Sequence, residues 1–246
     1  SLASHSLSIF NTTFLNNTGG GTGGAVNYNG IGTVQIFGSR FVNNTVTVTG
    51  GDGGALTTSG GGAGGTYTIE RNQFLNNRVL NPTSHGGAIS NVNGISTIQY
   101  NRFINNTAVT AANGNTLFQS GGSLANTITA NNNWWGVNTG PAANDVAVGA
   151  APVTAPVTAN WLQLKASATP AGICTGAPSN TTIVTAGFTS NSAGAVISSV
   201  NLQALVGLPV SFSATLGSLS AAQPTIQSSG TATVTFTSNG TAGNAT

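Results

Sequence analysis

Apolar side chains recur through the first half of the chain with a fixed internal spacing. Ile9, Ile36, Ile69, Ile98 and Ile128 are each followed by an aromatic residue. It comes five positions later as Phe14, Phe41, Phe74 and Phe103, and six positions later as Trp134. Three residues after each phenylalanine stands Asn17, Asn44, Asn77 or Asn106, the second member of an Asn-Asn pair. Further along come "GGAV" (23–26), "GGAL" (53–56) and "GGAI" (86–89), with "NTLF" (115–118) in the corresponding place. The phenylalanines lie 27, 33 and 29 residues apart, and the differences fall in Gly/Thr/Asn-rich segments between the fixed positions.

A period near 30 residues marks a chain built from stacked units. Each unit holds only short apolar runs, too small to bury themselves. Stacking them at about 4.8 Å pairs every strand with its equivalents above and below. The pattern predicts a parallel β-helix of about five coils over residues 1–136. Its interior is expected to be filled by an isoleucine column and a phenylalanine column. The Asn17–Asn44–Asn77–Asn106 column is expected to form an amide ladder at a sharp turn. The glycine pairs supply positive φ and close backbone approach, and Trp134 and Trp135 are expected to cap the open end.

After "NNNWWGVNTGP" (131–141) the pattern changes. Residues 137–160, rich in Ala, Pro and Val, read as a linker. From 161 to 246 apolar and polar residues alternate: Leu162/Leu164, then Val210/Phe212/Ala214, then Ala232/Val234/Phe236 between threonines. Period-two strands separated by Gly/Ser/Asn turns predict a small β-sandwich, so the whole chain is expected to be all-β.

Two resemblances attach to these motifs. The Phe-x-x-Asn and Gly-Gly-Ala-(Ile/Leu/Val) repeats of residues 7–136 resemble those of polymorphic outer-membrane proteins and related autotransporter passengers. That resemblance implies a right-handed β-helix on a bacterial surface. The run "GLPVSFSATLGSLSAAQPTIQSSGTATVTFTSNGTAGNAT" resembles a bacterial Ig-like domain of the invasin/intimin type. The "NNWWG…GP…NWL" junction followed by such a domain is similar to large secreted bacterial β-helix proteins. In the Ig-like family the "GTAGNAT" turn leads into a last edge strand, which does not follow here. The strand expected to precede Ile9 would likewise fall before Ser1, where the chain opens without an initiator Met, as a processed secreted protein would. Open β edges of this kind pair with other chains. Two explanations are open: the chain is part of a larger polypeptide, or copies of the same chain are the partners, joined head to tail.

Composition narrows the chemistry. Only five Lys+Arg and three Asp+Glu occur in 246 residues, where roughly a quarter of residues is usually charged. Arg40, Arg71, Arg78, Arg102 and Lys165 are scattered along the chain, which argues against a nucleic-acid groove. No apolar run is long enough to span a membrane as a helix. The lone Cys174 has no internal partner, leaving a structural residue or a cross-link to another chain. Asp52, Glu70 and Asp145 are too few for a calcium-dependent lyase or a glycosidase pair, and no cofactor is expected.

Asp52 and His85 each precede a Gly-Gly-Ala and should neighbour one another on adjacent coils. With Ser84 they invite a hydrolase reading, but turn capping explains them without one. Tyr28, Tyr67 and Tyr100 are candidates for a sugar-binding strip, though packing in the core or in loops accounts for them better. Asn11, Asn16, Asn43, Asn105, Asn180, Asn239 and Asn244 stand in Asn-x-Ser/Thr sequons and are candidates for glycosylation. The expected role is a non-enzymatic structural segment of an extracellular fibre or surface appendage. A glycan-binding adhesin is the alternative, and a carbohydrate-active enzyme comes third.

Overall fold

A computed structural model describes residues 4–60, 64–121, 127–150, 153–173, 180–240 and 243. The chain divides into two compact units, residues 1–162 and 163–246.

The first unit is a parallel β-solenoid of about five turns. One full turn shows the plan. Strand Gly65–Glu70 runs on sheet A, Gln73–Leu75 on sheet B, Arg78–Val79 on sheet C and Ile89–Val92 on sheet D. Every neighbouring pair within these sheets is parallel. Sheets A and D each hold five strands, and sheets B and C four.

Such short strands form because the corners between them are chemically specified. At the A–B corner Asn11, Gly38, Arg71, Tyr100 and Asn132 all take positive φ, between 49° and 61°. At the B–C corner Asn16, Asn43, Asn76 and Asn105 do the same. Asparagine tolerates this left-handed geometry better than most residues. The two asparagines of each pair thus have different tasks: the first bends the chain, the second bonds across rungs. In the glycine pairs the first residue (Gly23, Gly53, Gly86) has positive φ. The second is a matter of space, since a Cβ on Gly54 would collide with the carbonyl oxygen of Gly87.

In-register pairing aligns like side chains. Phe14, Phe41, Phe74 and Phe103 are direct partners on sheet B. Their rings stack in one file, with centroids 4.8, 4.8 and 5.2 Å apart. Ile9, Ile36, Ile69 and Ile98 form a second column on sheet A. Val26, Leu56, Ile89, Leu117 and Val146 form a third on sheet D.

Several expected positions shift. Ile128 stands opposite Ser96 rather than Ile98, so it belongs to the Leu7–Val34–Tyr67 column two residues away. Trp134 bridges to Arg102, and Trp135 is the residue that continues the ring file, stacked on Phe103 at 5.1 Å. Leu117, not Phe118, pairs with Ile89. "NTLF" is therefore displaced by one, and Gly114 supplies the positive φ.

The expected linker 137–160 is largely solenoid. Val146–Val148 adds a strand to sheet D. Val157 and Trp161 bridge to Thr129 and Asn133. The Asp145 carbonyl accepts bonds from the Thr116 and Leu117 N–H groups.

The second unit contains one antiparallel sheet of four strands: Lys165–Thr169, Thr181–Gly187, Thr231–Ser238 and Gly217–Ser220, in that spatial order. Ala232, Val234 and Phe236 are buried while the intervening threonines are half-exposed. The sequence runs 162–164 and 210–214 do not form strands. Leu162 is buried in the first unit. Around Val210 the chain makes an isolated Pro209–Thr225 bridge, with backbone bonds that join Gly207 and Leu208 to Ile226 and the Val210 N–H to the Pro224 carbonyl. A 3-10 helix, Ser199–Leu205, precedes this stretch. Cys174, Asn244 and most of the "GTAGNAT" turn lie outside the described residues.

Phe74 carries a stacked ring on both faces, whereas Phe14 carries one and is only partly buried. Replacing Phe74 by Ala should destabilise the solenoid by about 3–5 kcal/mol, and the same change at Phe14 should cost clearly less. Thermal unfolding followed by circular dichroism checks this, and equal losses would contradict it.

Candidate functional site

The residues that repeat most strictly form two directional amide ladders. At the B–C corner the Asn44 Oδ1 accepts from both the backbone N–H and the Nδ2 of Asn17, at 3.1 and 2.8 Å. Asn77 accepts the same pair from Asn44, at 3.0 and 2.9 Å. Asn106 accepts the pair from Asn77, both at 3.0 Å. Each of the later amides also donates backward: Asn44 to the Phe14 carbonyl, Asn77 to Phe41 and Asn106 to Phe74. Oxygen and nitrogen are thereby both satisfied in a buried corner, as burial of an amide requires.

A second ladder runs along the A–B corner and was not anticipated. Asn101 Oδ1 accepts from the N–H and Nδ2 of Asn72, and Asn133 Oδ1 from those of Asn101. Their Nδ2 groups donate back to the Ile36, Ile69 and Ile98 carbonyls. All three side chains are fully buried. Ser39 occupies the second rung and gives its N–H to Asn72 Oδ1 at 2.8 Å. The signal was present as Ile-x-x-Asn at 69–72 and 98–101, the same spacing as Phe-x-x-Asn, but Ser39 and Thr12 interrupt it.

Asp52 and His85 do meet. Asp52 Oδ1 accepts the His85 backbone N–H at 2.7 Å and lies 3.0 Å from His85 Nδ1. The imidazole stacks on Phe118, with centroids 4.1 Å apart. The Ser84 hydroxyl is fully buried and donates to the Val48 carbonyl at 3.2 Å. A hydroxyl so engaged is not presented as a nucleophile. The pair fastens one loop to the next. Among the described residues no group of three or more His, Cys, Asp or Glu side chains could hold a metal ion.

The tyrosines separate. Tyr28 and Tyr67 are interior, so they cannot form a surface strip with Tyr100, which is half-buried at the A–B corner. The Tyr67 hydroxyl lies 3.3 Å from the Asn93 carbonyl, and burial, reinforced by Tyr28, pushes its pKa up to about 12. Glu70 is 3.9 Å from Arg71, whose guanidinium lies 5.2 Å from the Phe37 ring centroid. Burial raises the Asp145 pKa, against a bond from the Ala142 N–H that lowers it.

The arginines, far apart in sequence, are close in the fold. Arg40, Gln73 and Arg102 are register partners on sheet B, and Arg71 stands two residues before Gln73. Of the sequon asparagines, Asn11, Asn16, Asn43, Asn105, Asn180 and Asn239 are exposed. Asn43 and Asn16 bond each other at 3.1 Å.

Asn77→Ala removes the acceptor of the Asn44 backbone N–H and of one of its two Nδ2 bonds, the other being kept by the Phe14 carbonyl. It also removes the amide bond to the Phe41 carbonyl, at about 1–3 kcal/mol for each buried group left unpaired. Asn77→Asp turns an oxygen toward acceptors instead. It should be the less stable variant at neutral pH and recover as its carboxyl is protonated at low pH, which thermal midpoints across a pH series would reveal. Tyr67 should resist ionisation until about pH 12. Because the unfolded phenol ionises near 10, its contribution to stability is complete below that pH and is lost as pH rises toward 12. Alkaline ultraviolet titration, compared with Tyr67→Phe, checks the assignment.

Comparison of the chain with protein-family models, with characterised proteins and with solved structures finds no match, so the functional reading rests on this geometry.

Proposed function

We propose that this chain is a structural segment of an extracellular bacterial fibre or surface appendage, without catalytic activity. In this reading the solenoid is a right-handed β-helical rod, and the second unit is an Ig-like sandwich of the invasin/intimin kind. The observation that carries the reading is the continuity of the columns. The aromatic file and the B–C amide ladder run from rung to rung without a break for a cleft, and the A–B ladder continues from Ser39 through Asn72 and Asn101 to Asn133. A rod held this way resists bending and local opening, because each corner amide is tied to the rungs on both sides.

In this reading the first described rung is a surface on which a further rung could pack. Leu7, Ile9, Phe14 and Val26 are only partly buried, whereas their partners Val34, Ile36, Phe41 and Leu56 are fully buried. A further rung laid on this surface would complete the file, whether it comes from the same polypeptide or from a second copy. A copy stacking head to tail gives an open filament.

Negative-stain electron microscopy of purified native material tests the proposal. End-to-end rods of uniform width are expected. Short, monodisperse particles that remain so at high concentration would overturn the filament, and hydrolysis of a polysaccharide or ester, abolished in His85→Ala, would overturn the non-enzymatic role.

A further inference from the structure

In a chain with only eight charged residues, four of the five cations fall on three successive rungs. Arg40, Gln73 and Arg102 form one outward column on sheet B. Arg71 and Tyr100 stand at the adjoining A–B corner of the third and fourth rungs. Arg78 follows on the next sheet. Of the three acids only Glu70 lies on this side. Asp52 sits in the loop before sheet D, and Asp145 immediately precedes the strand Val146–Val148 on sheet D.

Two further observations set the column apart. The corner position held by Asn11, Gly38 and Asn132 on other rungs is held here by Arg71 and Tyr100, at φ 59° and 57°. A bulky side chain in left-handed backbone is strained, and strain is retained where something compensates for it. In addition, Arg102 Nε is buried without a hydrogen-bond partner. Burial, and then the like charge of Arg40, pull the Arg102 pKa down. An anion on the outer face would not reach Nε itself, but would offset the repulsion between this half-buried guanidinium and Arg40.

We propose that the Arg40–Gln73–Arg102 column, flanked by Arg71 and Tyr100, binds a linear polyuronate lying along the solenoid axis. Arg40 and Arg102 are two rungs apart, roughly 9–10 Å at the usual strand spacing. Guanidinium groups take carboxylates in a two-point fork. Gln73 between them offers an amide to sugar hydroxyls, and the Tyr100 ring offers an apolar face to a pyranose. An extended ligand with recurring carboxylates can meet both Arg40 and Arg102, which are spaced along the solenoid axis with Gln73 between them. This binding role goes beyond the structural one and does not depend on filament formation.

The test is binding of polygalacturonate to the full chain at low ionic strength by isothermal calorimetry. Its fully methyl-esterified form and a duplex DNA serve as comparators. Wild type should bind the charged polymer, with affinity falling as salt rises, and should bind neither comparator to a similar degree. Arg40→Gln together with Arg102→Gln should weaken binding at least about tenfold. Arg71→Asn and Tyr100→Asn should each weaken it several-fold while holding or raising the thermal midpoint, because asparagine fits the corner. Lys165→Gln should change nothing. The proposal fails if wild type does not bind, if the double variant binds unchanged, or if the esterified polymer or DNA binds equally well. It also fails if the two asparagine variants weaken binding only in proportion to lost stability.

Discussion

Everything in the solenoid depends on rungs remaining in register, and the corner amides enforce that register. A parallel ladder of short strands is indifferent to a slip in its backbone bonds alone, yet a one-residue slip moves every side chain to the opposite face. An Asn Oδ1 that accepts both the N–H and the Nδ2 of the rung before it fits only one alignment. Slipping would leave buried amides unsatisfied along the B–C corner and, on the rungs of Asn72 and Asn101, at the A–B corner as well, a cost the backbone cannot recover. The aromatic file is the apolar counterpart. It adds burial and about 0.5–1.5 kcal/mol per stacked pair, but rings tolerate small offsets that amides do not.

The parallel solenoid was legible because one rung's chemistry recurs in identical residues. Phe-x-x-Asn repeats without substitution, and its spacing alone locates the B–C corner. The A–B corner follows the same geometry, but its left-handed residue changes identity on almost every rung (Asn11, Gly38, Arg71, Tyr100, Asn132) and its ladder begins with Ser39. The backbone repeats there while the side chains vary, so sequence periodicity fades. Trp134 misled for a related reason. Counting from Ile128 assumes that this isoleucine shares the column of Ile98. It pairs with Ser96 instead, which places Trp135 in the file. Residues 146–148 looked like linker because a three-residue strand at the edge of sheet D needs no long apolar alternation. In the second unit, Ala232–Phe236 alternates and is a strand, whereas Val210–Ala214 alternates equally well and is not. Alternation shows what a segment could bury; pairing depends on neighbours far away in sequence.

The same geometry changes what charge means in this chain. In a solenoid, residues about 30 positions apart are nearest neighbours, so cations that look dispersed along the sequence can stand in a column. Arg40 and Arg102 are separated by 62 residues of chain (102 − 40) and by only one intervening rung. With so few charges elsewhere, that column dominates the local field at ordinary ionic strength. The interior could not have forced this placement, because outward positions on sheet B accept Thr13 and Gln73 equally well. Nor could the corner have forced Arg71 or Tyr100, since asparagine and glycine serve there with less strain. Where packing leaves a position free and backbone preference opposes its occupant, the remaining source of constraint lies outside the chain, in whatever that face meets.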